Sequence, residues 1–232
     1  MDKPFRFKKF SLSHANSAQK VGTDSVILGA WLKADAPQKI LDVGSGCGLL
    51  AFMMAQRFLQ AQIIGVEKDL PSCLESLQNL ESSPFKEQVS FIKADFAQWE
   101  SKEQFDLIVS NPPYFESGQA TDRPARDNAR RQKSLSHAIL LQQMKKHLSP
   151  TGSIHLILPP MEAKSFIENA KNQELYLSRF CALKSRANTE TKRCLFSLSR
   201  TESTYQNEEL ILYCEDGARH PQHTQLTQDF YL

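Results

Sequence analysis

Between residues 39 and 200 the chain alternates short, almost wholly apolar runs with amphipathic ones. Lys39–Val43, Gln62–Val66, Val89–Ile92, Phe105–Val109 and Ser153–Leu158 are brief and apolar with little polar alternation, as strands buried on both faces are. Helical spacing fills the gaps: Leu49–Gln60, a stretch after Pro71 marked by Leu74, Leu77 and Leu80, Ser136–Leu148, and Met161–Lys171. Ser149-Pro150-Thr151-Gly152 supplies a helix stop. Strands joined by helices demand a mostly parallel sheet with helices on both sides. The expectation is therefore a doubly wound α/β fold with a seven-stranded sheet. Leu175–Leu183 and Arg193–Leu198 follow one another with no helix between, and Glu209–Tyr213 is a further strand candidate, so the late strands predict an antiparallel edge. Residues 1–35 lie outside the alternation and read as an N-terminal extension with a capping helix at Thr23–Leu32. Residues 36–232 form the single main domain.

Composition narrows the class. The 232 residues are 41% hydrophobic and 23% charged, ordinary for a chain that buries its own core. Lysine and arginine number 28 against 26 acidic residues, a net charge of +2, so any nucleic-acid surface must rest on local clusters. The first residues carry Lys3, Arg6, Lys8 and Lys9 and no apolar signal core, and no apolar run approaches the roughly 20 residues of a membrane span. Five cysteines with no CxxC read as reduced thiols in a cytoplasmic protein. His220-Pro-Gln-His223 after Cys214 has no zinc spacing and reads as a solvated turn, so no metal is expected.

Asp42-Val-Gly44-Ser-Gly46-Cys-Gly48 closes the first apolar run and opens a helix. A chain that must turn sharply and approach a ligand closely needs glycine there. The spacing is DxGxGxG. A dinucleotide fingerprint would put its third glycine at 49, where Leu49 stands, and the GK[ST] of a P-loop is absent. Glu67 ends the second strand, 19 residues after Gly48, where a carboxylate can accept from both hydroxyls of a ribose. Asp95 ends the third and can accept from an adenine amino group, with Phe96 or Leu70 against the ring. The strand ends share one crevice. This ordered set resembles the class I S-adenosylmethionine-dependent methyltransferases over roughly residues 39–200.

The fourth strand ends in Ser110-Asn111-Pro112-Pro113-Tyr114. Two prolines cannot continue a ladder, and the residue before proline is held extended, so the turn is stiff and fixes Asn111. An exocyclic adenine amine is a poor nucleophile because its lone pair is delocalised into the ring. The Asn111 amide oxygen and the Pro112 carbonyl can accept its two N–H bonds and draw the lone pair out of conjugation. Tyr114 offers a ring face to an unstacked base. The motif resembles the [DNS]PP[YFW] signature of amino-group methyltransferases, which implies catalytic roles for Asn111, Pro112, Pro113 and Tyr114.

Three substrate readings compete: an adenine in RNA, a protein glutamine amide, and a non-catalytic RNA-binding protein. Release-factor glutamine methyltransferases carry a helical domain before the glycine motif, where only 41 residues stand here, and no segment remains for a DNA target-recognition domain. Phe5-Arg-Phe-Lys8-Lys9-Phe10 interleaves aromatics with cations, and Arg123, Arg126, Arg130 and Arg131 follow the proline turn, as phosphate contacts would. Together with Lys20-Val-Gly22-Thr23-Asp24 before a helix ending Leu28-Gly-Ala-Trp31, and the terminal Leu226-Thr-Gln-Asp-Phe-Tyr-Leu232, these motifs resemble the bacterial tRNA1(Val) adenine-37 N6-methyltransferase family along nearly the whole chain. That resemblance implies a tRNA anticodon stem-loop as partner and S-adenosylmethionine as cofactor. It implies that Lys20, Gly22 and Thr23 cover the methionine part, that Asp42, Gly44 and Gly46 line the amino-acid end, and that Glu67 meets the ribose and Asp95 with Phe96 the adenine. No membrane partner is expected, and a monomer is favoured over an oligomer.

Overall fold

The apolar runs assemble into one sheet because each can satisfy its backbone only against another strand, and its side chains only against covering helices. In the computed structural model, residues 4–17, 20–113 and 137–232 are described. A two-stranded antiparallel ribbon of β1 (Phe5–Arg6) and β2 (Ser11–Leu12) comes first, then helix α1 (Thr23–Trp31). The alternating body follows: β3 (Lys39–Val43), α2 (Leu49–Arg57), β4 (Gln62–Glu67), α3 (Leu70–Glu81), β5 (Val89–Lys93) and β6 (Phe105–Ser110). Beyond residue 136 come α4 (His137–His147), β7 (Leu148–Leu158), α5 (Pro160–Lys171), β8 (Tyr176–Lys184), β9 (Thr191–Ser199), β10 (Gln206–Ile211) and α6 (Pro221–Thr227).

The main sheet has the order β10-β8-β9-β7-β6-β3-β4-β5. Strands β5, β4, β3, β6 and β7 run parallel, and β9 is antiparallel to both β7 and β8. The doubly wound, mostly parallel sheet is as expected; its antiparallel strand, expected at the edge, lies inside the sheet as β9, between β7 and β8. It carries one strand more than seven, because β10 adds a parallel edge to β8. Successive residues of the central strands serve opposite layers. Ile40, Leu107 and Val109 join the core beneath α1 and α2, whereas Leu41, Ile108 and Ile154 join the core beneath α4 and α5. Each such fully buried side chain contributes roughly 1.5–3 kcal/mol.

The β1–β2 ribbon and α1 pack on the sheet, with Phe7, Phe10, Leu12 and Ile27 in one cluster with Leu50 and Phe52 of α2. Three local readings are corrected. Ser149-Pro-Thr-Gly152 does not merely end α4. It lies inside β7 as an irregularity, with Leu148 opposite Phe105 and Ser153 opposite Leu107. His220 and His223 are not a solvated turn. His220 accepts from Gln222 N and starts α6 with Pro221 at its first position, and His223 is buried with Nδ1 on Leu212 O. Finally, α3 does not bury the expected leucine face: Leu74 and Leu77 are 50% and 39% exposed, and only Leu80 packs against the core, half-buried. Its buried face is Ser72, Cys73, Glu75, Ser76 and Asn79.

Candidate active site

Parallel strands all end on one edge, and there the glycine turn, the acidic strand ends and the proline turn converge. Gly44, Gly46 and Gly48 have φ of 72°, 55° and 93°, left-handed values that other residues adopt only with strain. At Gly48 a Cβ would also stand 2.7 Å from the Phe91 ring and 2.9 Å from that of Phe52. The turn is fastened by Gly44 N and Ser45 N donating to Val66 O, and by Gly48 N donating to Ser45 O. Asp42 lies beneath it, fully buried, with Oδ2 accepting from Ala51 N in the first turn of α2 and Oδ1 without a partner. Burial pushes its carboxyl up to about 7, the Glu67 charge adding to the rise and the Ala51 N–H opposing it.

Glu67 joins the glycine turn to the start of α3: Oε2 accepts from Gly46 N at 2.9 Å and Oε1 from Asp69 N at 2.8 Å. Each oxygen keeps a lone pair for a further donor. Asp95 is exposed, with Oδ1 accepting from Ala97 N at 3.0 Å. Phe96 is buried, its ring against Trp99 and His147. Ser110 Oγ donates to Val43 O, tying β6 to β3 at the turn. Asn111 is 6% exposed; its Nδ2 donates to Ser25 Oγ at 2.8 Å, and its Oδ1 has no partner. A buried acceptor left open in this way costs stability unless something arrives to fill it.

A cavity of about 390 Å³ joins these groups, lined among others by Gly44, Gly46, Glu67, Asp95, Asn111 and Pro113. Phe96 and Pro112 also line it. A smaller one of about 30 Å³ lies between Lys20, Ser25, Gly46 and Asn111. Among the expected site residues, the structure thus brings together Lys20, Gly44, Gly46, Glu67, Asp95, Phe96, Asn111, Pro112 and Pro113. Gly22 caps α1 and Thr23 is its first residue. Asp42 supports the turn from below and is not on the cavity wall. Lys8 is elsewhere: its N and Nζ donate to Phe230 O and Gln228 O near the C-terminus, and neither it nor Lys9 lines either cavity. Tyr114, Arg123, Arg126, Arg130 and Arg131 lie outside the described residues. Sequence reasoning missed Ser25, for which the only signal is its place in the first turn of the helix after Gly22. Among the described residues no cluster of His, Cys, Asp and Glu could hold a metal ion, and no helix is long and apolar enough to cross a membrane.

The chemistry available is hydrogen-bond acceptance in a confined cleft: two carboxylates at strand ends and one unpartnered amide oxygen. Comparison with known proteins agrees in kind. Residues 8–172 match the methyltransferase small domain family. The chain is 36% identical to a protein of Vibrio campbellii over 230 residues, 99% of this chain and 96% of that one. It is also 36% identical to one of Aliivibrio fischeri over 232 residues, 100% and 99% of the two chains. Both are named tRNA1(Val) (adenine(37)-N6)-methyltransferase. In fold it resembles a predicted O-methyltransferase of Agrobacterium tumefaciens, with a TM-score of 0.68 and 17% identity over 89% of this chain and 96% of that one. A methyltransferase of Pyrococcus furiosus gives 0.58 at 17% identity, covering 83% and 90%.

Proposed function

The chain belongs to the methyltransferase small domain family and to the tRNA1(Val) (adenine(37)-N6)-methyltransferases, and from that membership we propose that it methylates N6 of an adenine in tRNA, adenine 37 of the tRNA1(Val) anticodon loop. The observation that carries this reading is Asn111: an amide oxygen, buried and without a partner, at the end of a central strand on the wall of the large cavity. It is the acceptor that an exocyclic amine requires.

The residues present fit S-adenosylmethionine. The cavity has the size of a small-molecule site, and its wall carries strand-end carboxylates and glycines that let the backbone come close. In this reading Glu67 accepts from the ribose hydroxyls and Asp95 from the adenine amine, while Phe96 packs along the ring. Gly44 and Gly46 line the amino-acid end above Asp42, and Lys20, Gly22 and Thr23 cover the methionine part. Bound S-adenosylmethionine supplies an electrophilic methyl group on a sulfonium centre. The chain's own work is to position the acceptor amine. Asn111 Oδ1 takes one of its N–H bonds and the Pro112 carbonyl the other, and the lone pair that results is aimed along the line of displacement. The amine proton leaves after the new bond has formed, so no strong base is needed. Tyr114 stacks on the flipped base, and Arg123, Arg126, Arg130 and Arg131, with Lys8 and Lys9, are assigned to phosphates.

The test is methyl transfer from labelled S-adenosylmethionine to tRNA, with nucleoside mass spectrometry of the product. N6-methyladenosine is expected, and Asn111→Ala should lower the single-turnover rate by about 10²–10³ with a smaller effect on cofactor binding. Methyl transfer confined to a glutamine-containing protein would overturn the substrate, and near-normal turnover by Asn111→Ala would overturn the role of the amide.

A further inference from the structure

The buried face of α3 is polar, and what it faces explains why. Residues 13–17 run across it as a strap leading from β2 toward α1. Asn79 uses both of its amide protons and its oxygen: Nδ2 donates to Ser13 O at 2.8 Å and Cys47 O at 3.0 Å, and Oδ1 accepts from Ser13 N at 2.8 Å. One side chain thereby ties the strap to the glycine turn. One helical turn back, Glu75 is 3% exposed. Its Oε1 accepts from Asn16 N at 3.1 Å, and its Oε2 from Ser17 N at 2.8 Å and Ser17 Oγ at 2.5 Å. A buried carboxylate is tolerated because three donors meet it, and all three come from the strap.

The fastening continues past residue 17. His14 Nδ1 accepts from Val21 N at 3.0 Å, which ties Val21 to the strap. Lys20, Val21 and Ser25 then form one wall of the small cavity, opposite Gly44, Gly46 and Asn111. At the far end, Asp24 pairs with Arg193 of β9 at 2.9 Å, and Ser25 receives Asn111 Nδ2. In that bond the Asn111 amide turns its nitrogen to Ser25, and Oδ1 is the open end. Among the described residues no strand of the main sheet runs through this wall, and the bonds that fasten it to its neighbours are made with side chains.

We propose that Glu75 and Asn79 are positioning residues of the reaction: from a helix face outside the cleft, they latch the strap so that residues 20–25 complete the cofactor wall and hold the Asn111 amide. Neither residue lines either cavity, so neither touches a reactant. The inference rests on the methyltransferase reading for its catalytic part. Its mechanical part stands without it.

The experiment compares Glu75→Ala, Asn79→Ala and the conservative Glu75→Gln in the full chain. Amide hydrogen exchange is read separately for residues 13–25 and for β3, β4 and β6. Calorimetry measures S-adenosylhomocysteine affinity, and single-turnover methyl transfer to tRNA is measured at saturating cofactor. For Glu75→Ala, exchange in residues 13–25 should rise about tenfold or more while the sheet amides hold, because local opening costs less than global unfolding. Affinity should fall about 5–20-fold and the saturated rate by a comparable further factor, the losses of a few bonds to a charged acceptor. Glu75→Gln keeps one acceptor oxygen, enough for Ser17 N and Oγ but not also for Asn16 N, and should recover part of both. If Glu75→Ala does not fold, Ser17→Ala, which removes one bond from the strap side, should show the same pattern in smaller measure. Exchange that rises equally in strap and sheet, or a strap that loosens with affinity and rate unchanged, would overturn the proposal. Absence of methyl transfer by the unaltered protein would instead remove the functional reading, and hydrogen exchange with S-adenosylhomocysteine binding would still decide whether the latch exists.

Discussion

The two walls of the cleft are built on different principles. The strand-end wall is backbone architecture: its glycine turn hangs on main-chain bonds to Val66, and its proline turn continues a strand paired on both sides. The strap wall is side-chain architecture, held by Glu75, Asn79, His14, Ser25 and Arg193. A ladder closes cooperatively and tolerates few alternatives. A set of side-chain bonds can open one segment at a time. A cleft with one wall of each kind can keep its chemistry aligned while admitting a ligand from the other side.

The sharpest way to break this contrast is to strike each wall at its tightest point. Gly48→Val should cost about 3–5 kcal/mol, since it adds a branched side chain at a left-handed φ against two aromatic rings in a packed core. Denaturant unfolding measures it. A loss below ~1 kcal/mol would show that the turn gives way as freely as the strap.

Asp42 sharpens the contrast from beneath the first wall. Its carboxyl, ordinarily near 3.8, is raised to about 7 in the fold, chiefly by burial. The folded state therefore binds this proton more tightly than the unfolded chain. Stability from this group is highest below pH 4, falls as pH rises through the window from about 4 to 7, and is flat above it. Over that window the stability difference between the native chain and Asp42→Asn should change by at most on the order of 4 kcal/mol, the native chain losing ground as pH rises. Parallel pH curves for the two proteins would show that Asp42 does not carry this cost.

The same division explains what could be read from the sequence. The strand-end wall is legible because its determinants are local: three glycines at fixed spacing after an apolar run, an acid at the next strand end, and two prolines that must stop a strand. The strap wall is not, since a side chain's partner 60 residues away leaves no periodic trace. Leucines at 74, 77 and 80 predict a buried apolar face only if the covering surface is apolar. Here part of the cover is the backbone of residues 13–17, which needs Glu75 and Asn79, so the helix turns Leu74 and Leu77 outward and keeps only Leu80 half-buried against the core. His223 misleads in the opposite sense. A histidine in a proline-flanked polar stretch looks solvated, yet α6 carries it under Leu212. Ser25 could not have been singled out before its bond to Asn111 was seen.

The smallest expected effect tests the outward leucines. If the polar face of α3 is the structural one, Leu74 and Leu77 hold little. Leu74→Gln and Leu77→Gln should each change stability by no more than about 0.5 kcal/mol, as substitutions on exposed helix positions do. Leu50→Ala, in the mostly apolar α2, should by contrast cost about 2–5 kcal/mol through lost burial and the cavity it leaves. Both follow from one urea titration series. Equal losses at Leu74 and Leu50 would mean that the leucine face is buried after all. The strap would then not be what α3 is packed against, and the side-chain wall would lose its foundation. A neutral Leu74→Gln beside a costly Leu50→Ala would leave two consecutive helices with opposite habits, one anchored by its apolar side chains and the other by a carboxylate and an amide.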